Sequence, residues 1–279
     1  MTTALRRLGI WALALAAALP LALAAPAGAQ QGQSTLDKVK QSGKFLAGVR
    51  FDFPPVGSVD NTGKPIGFGP ELAKVFADRL GVQVEYVQVT SKTRIPLLQN
   101  GSIDADIGPT TPTVKRDEVV DFSIPYVWDG VGLLVKKGSS LNVKDYGPPK
   151  KVATTQGSFI IDLVKEQLPN VDLVLFQEFP DAVVALQNGK VDAVGVNRFN
   201  GIAFAAKNPN LAMGDDFYVD PWSIGVREND SDWRDFINFT LQELWQTGEY
   251  QKLYAKHYGA PPKFHMWSEF RLQPGIGEK

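Results

Sequence analysis

An eight-residue segment occurs twice in the 279-residue chain, as Leu98-Gln99-Asn100-Gly101-Ser102-Ile103-Asp104-Ala105 and as Leu186-Gln187-Asn188-Gly189-Lys190-Val191-Asp192-Ala193. Seven of the eight positions are identical or conservative. Each copy reads as the end of a helix, a glycine stop and the start of a buried strand. This repetition predicts two lobes of similar construction. Short apolar strands alternate with amphipathic helices around both copies, so the fold class is α/β. Phe45 to Phe51 reads as a first strand, Glu71 to Leu80 as a helix closed by Gly81, and Val82 to Val89 as the next strand. Trp233, Phe236, Ile237, Leu241, Leu244 and Trp245 fall at helical spacing after a Ser231 or Asp230 cap, and they read as core. In open α/β sheets the functional crevice lies beyond the carboxyl ends of the strands. The segments after the two copies, Gly108-Pro109-Thr110-Thr111 and Val196-Asn197-Arg198, are therefore expected to face one cleft from opposite sides.

The first 29 residues read as an address. Arg6 and Arg7 precede an apolar run from Leu8 to Ala25, and Ala27-Gly28-Ala29 supplies a small-x-small cleavage pattern. The run is almost long enough to span a membrane, but Pro20 and Pro26-Ala27-Gly28 interrupt it, and a cleaved signal peptide at 1–29 is the expectation. The location implied is the periplasm. The formal net charge of −1 excludes a strongly basic nucleic-acid surface. The chain has no cysteine, so its stability rests on the core and not on disulfides.

Several pieces, taken in order, carry a family likeness. They are Asp52-Phe53-Pro54-Pro55, Gly67-Phe68 leading into Glu71-Leu72-Ala73-Lys74, Val119 to Tyr126, Leu133 to Ser139, and Gly225-Val226-Arg227. Together they resemble the family 3 periplasmic solute-binding proteins, the polar-amino-acid class of ABC importers. Thr90-Ser91-Lys92-Thr93-Arg94-Ile95-Pro96-Leu97-Leu98-Gln99-Asn100-Gly101 is most similar to the glutamate/aspartate-binding subgroup. The resemblance implies a two-lobed type II periplasmic-binding-protein fold, each lobe a central sheet flanked by helices. Lobe 1 would comprise 34–127 plus 222–265 and lobe 2 128–221, with crossovers near Tyr126–Trp128 and Asp220–Trp222 and a tail over 266–279. A monomer is the expected state.

The resemblance also implies a binding site. Thr111-Pro112-Thr113-Val114-Lys115-Arg116 matches the family's T-x-T-x-x-R pattern, which places Arg116 and the Thr111 hydroxyl on the ligand α-carboxylate, beside Pro109. An arginine suits that task because its planar fork meets a carboxylate with two parallel hydrogen bonds. Arg50, Arg94 and Ser91 would hold a side-chain carboxylate, although Arg50 has Asp52 and Glu71 as alternative partners. Ser158 matches a carboxylate-binding position, with plain helix capping as the other reading. Phe53 is expected to wall the cleft, and Phe179 stands where the subgroup can carry a polar ring. The family's Asp for the ligand α-ammonium is replaced by Asn197, which accepts a hydrogen bond but brings no countercharge. Asp129, Glu178 or a water are the candidate substitutes. The ligand expected is thus glutamate- or aspartate-like, with a dicarboxylate lacking the α-amine as the alternative.

An enzyme on the same fold, of the cyclohexadienyl dehydratase kind, is the rival class, with Glu178, Asp129 or Asp106 as acid. No G-x-S-x-G or H-E-x-x-H occurs, and Gly67-Phe68-Gly69 lacks the third glycine of a dinucleotide fingerprint. His257 and His265 are the two histidines, and neither belongs to a metal-ligand pattern. No cofactor or metal is expected. The partners expected are a small anion, a membrane permease and its ATPase.

Overall fold

A computed structural model describes residues 33–264. The signal peptide read at 1–29, the tail at 266–279 and His265 lie outside the described residues. The helices are α1 (Thr35–Ser42), α2 (Phe68–Leu80), α3 (Arg94–Gln99), α4 (Val114–Asp117), α5 (Ile160–Gln167), α6 (Phe179–Gln187), α7 (Arg198–Lys207), α8 (Ser231–Thr247) and α9 (Glu249–Tyr258). The strands are β1 (Lys44–Val49), β2 (Asp52–Phe53), β3 (Gly57–Val59), β4 (Pro65–Ile66), β5 (Gln83–Gln88), β6 (Ala105–Asp106), β7 (Val120–Lys136), β8 (Lys151–Thr155), β9 (Asp172–Phe176), β10 (Ala193–Asn197), β11 (Leu211–Met213) and β12 (Tyr218–Arg227). Among the described residues no helix is long and apolar enough to cross a membrane.

The protein has the two-lobed α/β fold, with one refinement. The two expected sheets form one continuous surface in the order β5-β1-β6-β12-β7-β10-β8-β9, with β11 also on β7. The long strands β7 and β12 run antiparallel through its middle and belong to both halves. The segments read as crossovers lie side by side there, with Asp220 opposite Asp129 and Trp222 opposite Val127. The pairing slips between Trp222 and Ser223, a local irregularity of the kind that bends a ribbon.

The two copies of the repeated segment form the same structure. Leu98 and Leu186 are buried at the ends of α3 and α6, and Gly101 and Gly189 follow with positive φ. Each copy then enters a strand parallel to its neighbour, β6 on β1 and β10 on β8. The aspartates make the same reciprocal clamp. Asp104 N–H donates to Leu46 O at 2.7 Å while the Asp104 carboxylate accepts Leu46 N–H at 2.8 Å. Asp192 does the same with Lys151, both bonds at 2.8 Å. Asp104 is buried and also accepts Lys38 Nζ at 2.7 Å. Its replacement by alanine leaves the Leu46 N–H without its partner and breaks the pair with Lys38, so Asp104→Ala is expected to cost about 1–3 kcal/mol of stability, read by chemical denaturation.

Boundaries differ from the sequence reading for physical reasons. The first strand stops at Val49, which leaves Arg50 just beyond the sheet. The helix expected from Glu71 begins at Phe68, because Pro70 falls in its first turn, where a missing N–H costs nothing. Asp230 caps α8 by accepting Trp233 N–H at 3.4 Å. Trp233 itself is buried, stacks on Phe236 at 5.4 Å and donates its indole N–H to Asp104 O at 2.8 Å.

Candidate functional site

The first half of the fold brings its three arginines to one place through three short elements. Arg50 leaves the end of β1 with 1% of its surface exposed. Its Nε and Nη2 form a two-pronged ion pair with Asp52, both at 2.7 Å, and its Nη1 donates to Ser91 Oγ at 3.2 Å. The guanidinium lies 4.8 Å from the centre of the Phe53 ring. Burial acts to raise the Asp52 pKa, but the Arg50 charge and hydrogen bonds outweigh it and hold the carboxyl below its usual range. Glu71, the other partner considered for Arg50, pairs instead with Lys256 at 2.7 Å, with His257 beside it.

Arg94 opens α3 and is 2% exposed. Its Nη1 donates to Pro109 O at 2.9 Å and to Thr110 Oγ1 at 2.7 Å, while its Nε has no partner among the described residues. Thr110 in turn donates to Asp106. Burial, and then repulsion from Arg116, lowers the Arg94 pKa to about 9 against the attraction of Asp106. Arg116 is positioned by the Thr113 hydroxyl, which accepts its backbone N–H at 3.3 Å as the cap of α4. This is the structural sense of the second threonine in the motif. The Arg116 guanidinium donates to Thr111 O at 2.7 Å and to Gly157 O at 3.2 Å.

The second half closes against these groups. At the end of β8, Thr155 Oγ1 lies 3.4 Å from Ser91 Oγ. Gly157 follows with φ +72° and offers its carbonyl to Arg116. Phe179, first residue of α6, donates its N–H to Asp52 Oδ2 at 3.2 Å, and its ring meets Phe53 edge-on at 5.7 Å. Asn200 on α7 donates to Pro54 O at 2.8 Å. Asn197, at the end of β10 and 4% exposed, donates its amide to Asp220 Oδ2 at 2.8 Å. Thr111, from the other side, donates its hydroxyl to the second oxygen of the same carboxylate at 2.7 Å. The two segments expected to face one cleft thus converge on Asp220.

Arg50, Phe53, Ser91, Arg94, Pro109, Thr111, Arg116, Phe179 and Asn197 lie in this connected cluster. Ser158 stands at its edge, and its hydroxyl accepts Ile160 N–H at 3.2 Å, so here it serves the start of α5. The Phe179 contribution is its backbone N–H and an apolar ring. Sequence reasoning missed Thr155, Asn200 and above all Asp220, whose place in the second crossover was a signal that it faces both halves. Of the substitutes considered beside Asn197, Asp129 accepts the N–H groups of Gly130 and Phe199 at the start of α7. Glu178 adjoins Asp52 instead, and burial, then the Asp52 charge and their shared hydrogen bond, raise its pKa. Asp106 is buried behind Thr110.

A charge pattern results. Arg50 meets Asp52 directly, Arg94 reaches Asp106 through the Thr110 hydroxyl, and Arg116 reaches Asp220 through the Thr111 backbone and hydroxyl. Each cation of the cluster has its own anion, so the cleft offers fixed dipoles of both signs.

The sequence model of the bacterial extracellular solute-binding proteins, family 3, matches residues 45–260. A glutamine-binding protein of Geobacillus stearothermophilus is 39% identical over 200 residues, which cover 70% of this chain and 76% of the relative. The glutamate/aspartate import solute-binding protein of Escherichia coli K12 is 28% identical over 264 residues, 89% of this chain and 87% of the relative. The subgroup expected from the sequence is therefore one of several similar ones. Among solved structures, an ancestral amino acid-binding protein described as a precursor of cyclohexadienyl dehydratase superposes with a TM-score of 0.76 at 32% identity, covering 81% of this chain and all of the other.

Proposed function

The chain belongs to family 3 of the bacterial extracellular solute-binding proteins, and we propose that it captures a polar α-amino acid outside the cytoplasmic membrane and delivers it to an ABC importer. The observation that carries this reading is the cluster of Arg50, Ser91, Arg94 and Arg116 closed against Thr155, Gly157 and Asn197. In this reading the lobes are 34–127 plus 222–265 and 128–221, and the crossovers, which pair within β7 and β12, act as the hinge. Ligand first meets the lobe that holds the arginines. The other lobe then closes over it, driven by the contacts the ligand gains only in the closed state. Arg116 takes the α-carboxylate with its fork, exchanging the Thr111 and Gly157 carbonyls for a charged acceptor. The closed protein docks on a membrane permease energised by a separate ATPase.

The side chain of the ligand faces Arg50, Ser91 and Arg94, with Asp52 beside them. Donors next to an acceptor suit a carboxamide, which carries one oxygen to accept and one NH2 to donate. Glutamine is accordingly the first ligand of choice, in keeping with the glutamine-binding relative. A second reading, glutamate or aspartate, rests on Arg94, whose buried Nε has no partner among the described residues. Calorimetric titration of ligand-stripped protein with glutamine, glutamate, aspartate and amine-free dicarboxylates separates them. Glutamine is expected to bind most tightly. Tight binding of only the acidic amino acids selects the second reading, and binding of none of the three amino acids sinks both.

The protein is proposed to be a binder and not an enzyme. The acids considered for catalysis are engaged in structure: Asp129 caps α7, Asp106 backs Thr110, and Glu178 shares a hydrogen bond with Asp52. No turnover of prephenate or arogenate is expected, and measurable turnover overturns this reading.

A further inference from the structure

Position 197 is an asparagine in a cleft read as an amino-acid site, so a ligand α-ammonium needs its countercharge from elsewhere. The structure holds one buried carboxylate in contact with that asparagine. Asp220 is 2% exposed and accepts three hydrogen bonds, from Thr111 Oγ1 at 2.7 Å, Asn197 Nδ2 at 2.8 Å and Trp222 Nε1 at 3.0 Å. All three donors are neutral. Among the described residues no lysine, arginine or histidine forms an ion pair with it; Arg116 attracts it through space and shares Thr111 with it but makes no direct hydrogen bond to it. The other acids near the cleft are engaged elsewhere, Asp52 by Arg50, Glu178 by Asp52, Asp106 by Thr110 and Asp129 by the start of α7.

The geometry of a carboxamide completes the argument. Asn197 points its NH2 at Asp220, which turns its carbonyl oxygen, the acceptor of the amide, away from that carboxylate. A hydrogen-bonded amide with an anion behind it is polarised, so its oxygen is a better acceptor than that of an isolated amide.

We infer that Asp220 supplies the countercharge for the ligand α-ammonium, with Asn197 as the polarised acceptor that stands between them. This rests on the amino-acid reading of the cleft and assigns it a further specificity residue. The negative charge has moved from the end of β10 to the second crossover, one hydrogen bond back. Arg116 and Asp220, flanking Thr111, then match the two charges of a zwitterion. Ligands that lack the amine leave buried Asp220 with the more distant Arg116 as its cation, so the site discriminates against them.

The test compares glutamine with glutaramate, which is glutamine without its α-amine, by calorimetry on the wild type, Asp220→Asn, Asn197→Asp and Asp220→Asn/Asn197→Asp, with a melting curve for each. The wild type is expected to prefer glutamine. Asp220→Asn is expected to bind glutamine roughly 10- to 100-fold more weakly, the loss of the charge behind the Asn197 acceptor, while glutaramate changes little and the preference collapses. The double variant, which returns the charge to position 197, is expected to recover at least about tenfold of the loss. If glutamate or aspartate proves the tighter ligand, the same comparison is made with it and its amine-free counterpart. Asp220→Asn that binds the amino acid as the wild type does, or that loses both compounds equally with no recovery in the double variant, overturns the inference and leaves the amino-acid reading standing. A wild type that binds no α-amino acid overturns the two together.

Discussion

Arg116→Met is expected to weaken amino-acid binding by at least about 100-fold while the protein stays folded. The proposed fork on the α-carboxylate consists of two charge-assisted hydrogen bonds, each worth roughly 1.5–3 kcal/mol, and every 1.4 kcal/mol is about tenfold in affinity. In the structure the same guanidinium donates to the Thr111 and Gly157 carbonyls, at 2.7 and 3.2 Å. These are weaker partners than a carboxylate, and the exchange favours the bound state. The side chain is half-buried and stands at the end of the four-residue α4, so its loss removes little core. Arg116→Lys keeps the charge but not the planar fork, and an intermediate loss is expected. Calorimetry measures both, and a thermal melt without ligand checks the fold. Wild-type affinity in Arg116→Met would remove Arg116 from the site.

The parts of the protein that were legible in the sequence are those set by local chemistry. The repeated Leu-Gln-Asn-Gly segment marks two helix ends, because Gly101 and Gly189 adopt positive φ that other residues resist. Its two aspartates were identical in the sequence, but their matching clamps on Leu46 and Lys151 depend on which strand lies beside which. The same limit governs the site. Arg50 and Asp52 are two residues apart, and their pairing was weighed from the sequence alone. Asp220 is 109 residues from Thr111 and 23 from Asn197, and only the antiparallel ribbon of β7 and β12 brings it to both. The sequence therefore displays the missing aspartate at 197, and its one sign of what stands behind that position is the place of Asp220 in the second crossover. It also overcounted the positive charge of the cleft, since three arginines are visible in motifs and their three carboxylate partners are scattered along the chain.

Gly157→Ala is expected to prevent full closure. A Cβ added at this position would lie 2.7 Å from Ser91 O, 2.8 Å from Lys92 Cα and 3.0 Å from Lys92 N. Those are backbone atoms of the opposite half, so no side-chain rotation relieves the contact. The φ of +72° adds roughly 1–2 kcal/mol of strain for any residue with a Cβ. That strain burdens the open and closed forms alike and lowers the stability of the ligand-free protein. The collision burdens the closed form alone. Overpacking of this kind costs roughly 1–3 kcal/mol, which corresponds to an affinity loss of about 5- to 150-fold. Small-angle scattering separates the two effects, because a hinge that cannot close leaves the radius of gyration unchanged when saturating ligand is added. The larger Gly157→Val is expected to deepen the loss of affinity in the same direction. A Gly157→Ala protein that contracts on adding ligand and binds as tightly as the wild type would show that the contact between Gly157 and the Ser91–Lys92 backbone is not part of the ligand-bound state.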